Sequence, residues 1–469
     1  MRRLAVVAVL ASLLAGCATP QSSTALPPLP TNLASFTAAP FGVPAGEWWR
    51  TRLSDPSLKR LIDAALANSP DIAAAAARIE LARATLRARG ADRTINVGGS
   101  TGLTASRAAD AEGIGSGNLP PGISIDRDRI TGRVGLDATY DFDLFGRLAA
   151  DRRAALSRLE AANADAAAVR LALVTDVARN YVAAVAAQAR GRVARDNIAA
   201  ARDLVSITNV RVKAGLVTGI DGTRGSALLA ETAAALPPLE GERGARIAAL
   251  STLTALAPAE IGTIIADAPA QAPRFGMPAE VVPSELIARR PDIAAAIRRV
   301  AAADADTAAT LAARYPRLTI TSAIGLVATG LGGFFSGDAL SLAAGPGLAG
   351  PLFDGGRNRA AVAEARARTA EAVAAYRGTV LDAFGEVETN LALADARTRQ
   401  GAALDAQVAA DTDTVSIARI QYRRGLTDFL GVLIAQQALF RSRDAAIVAG
   451  AAAADAELAL FRAIGGDGL

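Results

Sequence analysis

Few residues in this 469-residue chain can do covalent or coordination chemistry. It has no histidine and one cysteine, Cys17. Ser-His-Asp and Cys-His nucleophiles, histidine-held zinc or haem, intrachain disulfides and thiolate clusters are thereby excluded. Carboxylates are plentiful, but no recognisable motif brings two acids together as a hydrolase would need. No phosphate-binding loop appears. The expectation is a protein that is not an enzyme and uses no cofactor and no metal.

The remaining chemistry lies at Cys17. Arg2 and Arg3 precede an apolar run, Leu4 to Ala15, shorter than the ~20 residues of a spanning helix. A basic start, a short apolar core and small residues before a cut form a bacterial secretory signal. The end, Leu14-Ala15-Gly16-Cys17, resembles a lipobox. There the thiol becomes a diacylglyceryl thioether, the chain is cut before the cysteine, and the new amine is acylated. An ordinary signal peptide containing a cysteine is the alternative. Ala18 is not Asp, so the inner-membrane retention signal is missing and the outer membrane is the implied destination. Residues 1–16 read as the signal peptide. Residues 17–45, with Pro27-Pro28-Leu29-Pro30, read as a lipidated, extended tether.

The elements behind this leader are mainly helical by composition. Hydrophobic residues make up 51% but aromatics only 4%, so Ala, Val and Leu must build the packing, which favours long helices. The net charge is +4 before Arg2 and Arg3 are removed, which gives no electrostatic case for nucleic acid.

The sequence is also duplicated. Ser69-Pro70-Asp71-Ile72 returns as Arg290-Pro291-Asp292-Ile293. Asp143-Leu144-Phe145-Gly146-Arg147 returns as Leu352-Phe353-Asp354-Gly355-Gly356-Arg357. Arg211-Val212-Lys213-Ala214-Gly215-Leu216 returns as Gln421-Tyr422-Arg423-Arg424-Gly425-Leu426. The order is kept and the displacement, roughly 210–220 residues, is far longer than a solenoid period. We read residues 46–257 as a first repeat, 258–283 as a linker, 284–465 as a second repeat and 466–469 as a tail.

Each repeat reads helix, two strands, long helix, turn, helix. From Ile130 to Leu144 the even positions are apolar or small, while the odd ones include Arg133, Asp137, Asp141 and Asp143. This is strict period-2 alternation. Strands are expected at about 94–107, 128–143, 317–329 and 339–352, with Gly-rich loops at Gly113–Gly122 and Gly330–Asp338. Runs of this length suit tilted membrane strands. A soluble sheet with one wet face is the alternative, but it leaves the sheet edges unexplained. Proline-free stretches from about Arg147 to Lys213 and Arg357 to Arg424 predict rods on the order of 100 Å. Val169, Leu173, Val177, Tyr181 and Val185, with Leu171, Val174 and Val182, cover more than one helix face. Shorter helices are expected at about Pro56–Arg89, Asp221–Leu256, Ser284–Arg314 and Asp428–Ala463, with Pro237-Pro238 interrupting one.

Together these features resemble the outer-membrane factor family, TolC-like and OprM-like channels, and most closely its NodT-like efflux lipoproteins. The residues that carry the resemblance are Cys17, Trp48-Trp49-Arg50, Asp55-Pro56-Ser57-Leu58, the two strand-to-helix junctions and Tyr422-Arg423-Arg424-Gly425-Leu426-Thr427. It implies a mixed α and β membrane protein. In a homotrimer, four strands per chain form one 12-stranded outer-membrane barrel that continues into a long periplasmic α-helical barrel. A periplasmic membrane-fusion adaptor and an inner-membrane pump of the RND type complete the exporter. The chain would be a passive duct in outer-membrane lipid for drugs or other small toxic compounds. Cargo is not readable from the sequence, nor is any service to type I protein secretion. A non-channel structural or adhesive coiled-coil lipoprotein is the alternative.

The resemblance also implies a closed periplasmic tip at the hairpin turns Gly215 and Gly425. Asp221 matches a family iris aspartate. Gly431 and Ile434 stand where the best-known branch has aspartates, which puts apolar closure near Ile434 beside ion pairs of Tyr422, Arg423, Arg424 and Asp428 as the two options. These charges could equally be solvated turn residues. Arg133, Asp137, Asp141 and Asp143 would line the barrel lumen.

Overall fold

The computed structural model describes residues 55–107, 128–276, 289–329 and 331–466. Cys17, the signal, the tether, the Trp48 segment, the Gly113–Gly122 loop and the last residues of the linker, 277–283, lie outside them. The chain is mostly helical with one four-stranded sheet, and it divides into two compact units. One takes residues 80–160 and 297–374, and the other takes the described remainder.

The first unit holds β1 (Asn96–Arg107), β2 (Asp128–Phe142), β3 (Arg317–Thr329) and β4 (Leu340–Ala349). They form an antiparallel sheet in the order β1-β2-β3-β4, so β1 and β4 each leave one edge unpaired within the chain. Val134 lies opposite Leu326, Leu136 opposite Ile324 and Phe142 opposite Leu318. Leu326 in turn faces Leu340, and Ile324 faces Leu342. A one-residue slip would scatter these side chains over both faces. The observed register gathers them on one face, where all but the half-buried Leu318 are exposed.

Both expected strand ends shift inward. β2 stops at Phe142 because Asp143 turns to the next helix. Its carboxylate accepts hydrogen bonds from the amides of Leu148 (2.9 Å) and Ala149 (2.7 Å). Asp354 does the same after β4, accepting from Gly356 and Asn358, both at 2.9 Å. Those two amides, Asn358 first, hold the Asp354 carboxyl below its usual range. The expected loop Gly330–Asp338 contains two 3-10 turns, Leu331–Phe335 and Gly337–Ala339. Phe334 seats its ring over Gly132, where an added Cβ would lie 2.4 Å from it.

Helix α1 is Pro56–Asn68 and α2 is Pro70–Ala91. One continuous helix was expected here. The break falls at Ser69 because Pro70 disfavours a helical residue before it. α3 spans Arg147–Lys213, α4 Gly219–Ala234, α5 Leu236–Thr254, α6 Pro258–Ala266, α7 Pro291–Ala312, α8 Arg357–Arg423 and α9 Phe429–Ala463. The Pro237-Pro238 pair sits in the first turn of α5, after a break at Ala235, where a missing amide costs little. α3 and α8 are each 67 residues long, on the order of 100 Å at 1.5 Å per residue.

In the second unit, α3 supplies Leu173, Val174, Val177, Tyr181, Val182 and Val185 to one core. They pack with Leu58, Leu61 and Ile62 of α1, Leu250 of α5, Ile261 and Ile265 of α6 and Leu458 of α9. Each fully buried side chain of this size contributes ~1.5–3 kcal/mol. Neighbours on several sides explain why the apolar positions of α3 exceed one stripe. The Tyr181 hydroxyl donates to Asp55, which also caps α1 through the Ser57 amide at 2.9 Å. Burial, then this bond, holds the phenol well above its usual pKa.

Two buried charges fix the start of the second repeat and the linker before it. Arg290 donates to Asp292 (2.6 Å), Glu386 (2.8 Å) and the Ala463 carbonyl (2.7 Å). Glu457 of α9, only 3% exposed, accepts from Arg274 Nε (3.0 Å) and the amides of Phe275 (2.6 Å) and Gly276 (2.9 Å). Replacing Glu457 with Gln removes the charge that these donors need, a loss on the order of 3 kcal/mol. Glu457→Gln should therefore speed tryptic cleavage after Arg274 in folded protein. Unchanged cleavage kinetics would mean that this carboxylate does not hold the segment.

Candidate functional site

Two regions combine chemistry with placement. The first is the sheet. Its apolar face carries Val134, Leu136, Ile324, Leu326, Leu340 and Leu342, all exposed. Exposed side chains of this kind in one contiguous patch require an apolar partner or solvent. The opposite face carries Arg133, Asp137 and Asp141 at four-residue intervals along β2, roughly 13–14 Å apart in an extended strand. Their neighbours are small. Arg133 lies between Gly102 and Val327, and Asp137 between Gly98 and Ala323. Asp141 is paired with Arg147 at 3.2 Å, and Arg147 also reaches Asp151 at 3.3 Å. Of the four expected lumen residues, Asp143 does not belong to this face, because it caps α3.

The second region is the pair of helical turns, α3–α4 and α8–α9, in the other unit. Gly215 has φ +69° and Gly425 φ +75°, the left-handed conformation that glycine adopts without a steric penalty. Their hydrogen bonds are the same in kind. Leu216 N donates to the Arg211 carbonyl and Leu426 N to the Gln421 carbonyl, both at 2.9 Å. Gly215 N and Gly425 N each close a three-residue step at 3.0 Å. These bonds satisfy carbonyls that a helix end leaves open.

Asp221 lies in the first turn of α4, where the positive helix end favours a carboxylate. It accepts from the Thr218 hydroxyl at 3.2 Å, and Arg224 approaches to 3.9 Å. Asp428 caps α9 through the Gly431 amide at 2.9 Å. Arg423 Nε donates to the Arg419 carbonyl at 3.4 Å. Arg424 and Ile434 are exposed. Within one chain, no described contact joins Asp221 to Arg423 or Arg424.

Tyr422 stands apart from the other expected tip residues. It is 3% exposed and belongs to an apolar cluster with Ala201, Leu204, Leu228, Phe429 and Val432. Its ring meets Phe429 edge-on at 6.2 Å. Arg211, which the sequence reading passed over, stacks 4.6 Å above that ring and donates to the Tyr422 carbonyl at 3.1 Å. This cation–π contact ties the first hairpin to the second. The signal for it was the charged residue in the duplicated turn, four positions before Gly215. Among the described residues the buried Tyr422 hydroxyl has no hydrogen-bond partner, so Tyr422 is a core residue of the tip and not a group presented on its surface.

The family model described as outer membrane efflux protein matches residues 61–256 and again 282–466. Pyoverdine export outer membrane protein OpmQ of Pseudomonas putida is 34% identical over 99% of this chain and 97% of its own length. Outer membrane protein OprJ of Pseudomonas aeruginosa is 34% identical over 89% of this chain and 86% of its own. The solved outer-membrane channel OprN has a TM-score of 0.83 at 27% identity and covers 96% of this chain and 99% of that one.

The unpartnered hydroxyl makes a sharp test. A buried polar group left without a partner costs about 1–3 kcal/mol. Tyr422→Phe should leave the thermal stability of the solubilised protein unchanged or raise it. Arg211→Met should lower it by about 1–3 kcal/mol, through the lost charged hydrogen bond and ring contact. A destabilised Tyr422→Phe would show that the hydroxyl has a partner after all.

Proposed function

The chain belongs to the outer membrane efflux protein family, and we propose that three copies complete a duct that one copy cannot close. It is an outer-membrane channel of an efflux system, in a family of transporters and not of enzymes. The observation that carries the trimeric reading is the four-stranded sheet with two open edges and an exposed apolar face. Hydrocarbon tolerates no open strand edge. Eight strands make the smallest closed barrel and fill its interior with side chains. Twelve strands, four from each chain, close the sheet with room for a pore.

In this reading the apolar face meets lipid, and Arg133, Asp137 and Asp141 line the water-filled lumen beside glycines that keep it wide. The sequence duplication supplies two helical hairpins per chain, and the helices of three chains enclose a periplasmic tunnel. Asp221, Arg423, Arg424 and Ile434 sit at the tip, where contacts between neighbouring copies hold the resting channel shut. Tyr422 and Asp428 support those turns from within. The chain holds no energy source, so a periplasmic adaptor and an inner-membrane pump of the RND type drive transport and choose the cargo among drugs and other small toxic compounds. Cys17 carries acyl chains that anchor the mature N-terminus, each buried CH₂ contributing ~0.8 kcal/mol.

Three measurements test these points. Purified protein in planar bilayers should show discrete conductance, and silence under every gating condition, tip variants included, would reject the duct. Asp221→Ala should raise resting conductance modestly, since each exposed pair is worth ~0–1 kcal/mol. An unchanged value would leave closure to apolar packing near Ile434. Mass spectrometry of the mature protein should find acyl groups on Cys17, and an unmodified thiol there would end the lipoprotein reading.

A further inference from the structure

The two repeats match closely enough in the first unit to fix more than the presence of a seam. The shift that takes Pro70 to Pro291 also takes Ala91 to Ala312 and Asn96 to Arg317, so α2 with β1 corresponds residue for residue to α7 with β3. Asn96 lies opposite Thr139, and its counterpart Arg317 lies opposite Ala349. Thr139 of β2 therefore corresponds to Ala349 of β4. The 210-residue displacement from Thr139 to Ala349 also takes Arg147, the first residue of α3, to Arg357, the first of α8, which is an independent check.

We infer that the unpaired edge of β4 pairs with β1 of a second copy of this chain in a register set by the internal β2–β3 pairing. Thr139 opposite Thr321 becomes Ala349 opposite Ser100 of the next copy. Arg133 opposite Val327 becomes Ala343 opposite Ser106. Leu136 opposite Ile324 becomes Pro346 opposite Leu103, and Phe142 opposite Leu318 becomes Leu352 opposite Val97. The inference rests on the closed-barrel reading and adds its register.

Two observations support it. The first is parity. Faces alternate residue by residue, so any register an odd number of residues away would turn β1 of the second copy over and break the apolar belt. The inferred one keeps Ala349, Ala343, Ser100 and Ser106 on the polar face and Pro346, Leu348, Leu103 and Val97 on the apolar one. The second is exposure. Leu352, three residues beyond the end of β4, is 104% and Val97 63% exposed, although their counterparts Phe142 and Leu318 face each other across β2 and β3. The inferred register gives these two apolar side chains to each other.

Cysteine pairs test the register. Positions 100 and 349 lie on opposite edges of the sheet, three strand spacings of roughly 4.8 Å apart, too far for a disulfide within one chain. Any bond between them joins two copies. Ser100→Cys with Ala349→Cys, oxidised in outer membranes, should run as covalent dimers and trimers on non-reducing gels. Ala349→Cys with Gly98→Cys or with Gly102→Cys, one pleat to either side, should link far less. Ser106→Cys with Ala343→Cys gives a second reading of the same register if the first pair misfolds. Each single cysteine variant controls for Cys17, and Thr139→Cys with Thr321→Cys reports a folded sheet by closing within one chain. Stronger linking through position 98 or 102 would overturn the register and leave the closed barrel standing. Absence of every intermolecular link while the internal pair closes would remove the shared seam itself.

Discussion

A backbone amide without a partner in hydrocarbon costs several kcal/mol, and this constraint organises the molecule. The β1 and β4 edges each present a row of such groups. A soluble protein can blunt an edge with charge or cover it with a loop. A sheet that exposes leucine and isoleucine along one face, set in lipid as proposed above, has neither remedy, so its edges would need other strands. The strict assignment of side chains to faces follows, because a strand supplied by another copy is useful only if its apolar residues arrive on the same side.

Much of this was legible in the residues. Alternation in Ile130–Phe142 identified β2 and its two faces, because period 2 has no helical counterpart. The ends of α3 and α8 were legible because Gly215 and Gly425 sit where a helix must stop with a positive φ. The end of β2 was not. Alternation runs on through Leu144, and nothing in the pattern says that Asp143 has turned to bind two amides. Ser69 was missed for a related reason. Ala-rich sequence continues on both sides of it, and only Pro70 marks the break.

The tip shows where pattern reading is weakest. Tyr422 stands in a run with Arg423 and Arg424, which looks like a surface triplet. Helical geometry separates them, since adjacent residues point about 100° apart. Tyr422 faces Phe429 and Leu228 while its neighbours face outward. Glu457 and Arg290 were invisible for the opposite reason. A single charge within an Ala-rich helix, or just before one, resembles a solvated charge, and only the fold reveals that the partners are a distant linker and a helix end.

The equal length of α3 and α8, 67 residues each, restricts how such a chain can evolve. Inserting one residue into a helix advances everything beyond it by 1.5 Å and turns it by about 100°. In α3, a single inserted codon would rotate Leu173, Tyr181 and Val185 away from α1 and α6 and leave the turn at Gly215 out of step with the one at Gly425. Lengthening therefore has to occur in whole-turn or heptad increments and in both helices. Point substitutions can drift at the exposed positions of these rods, but their length is inherited as a matched pair.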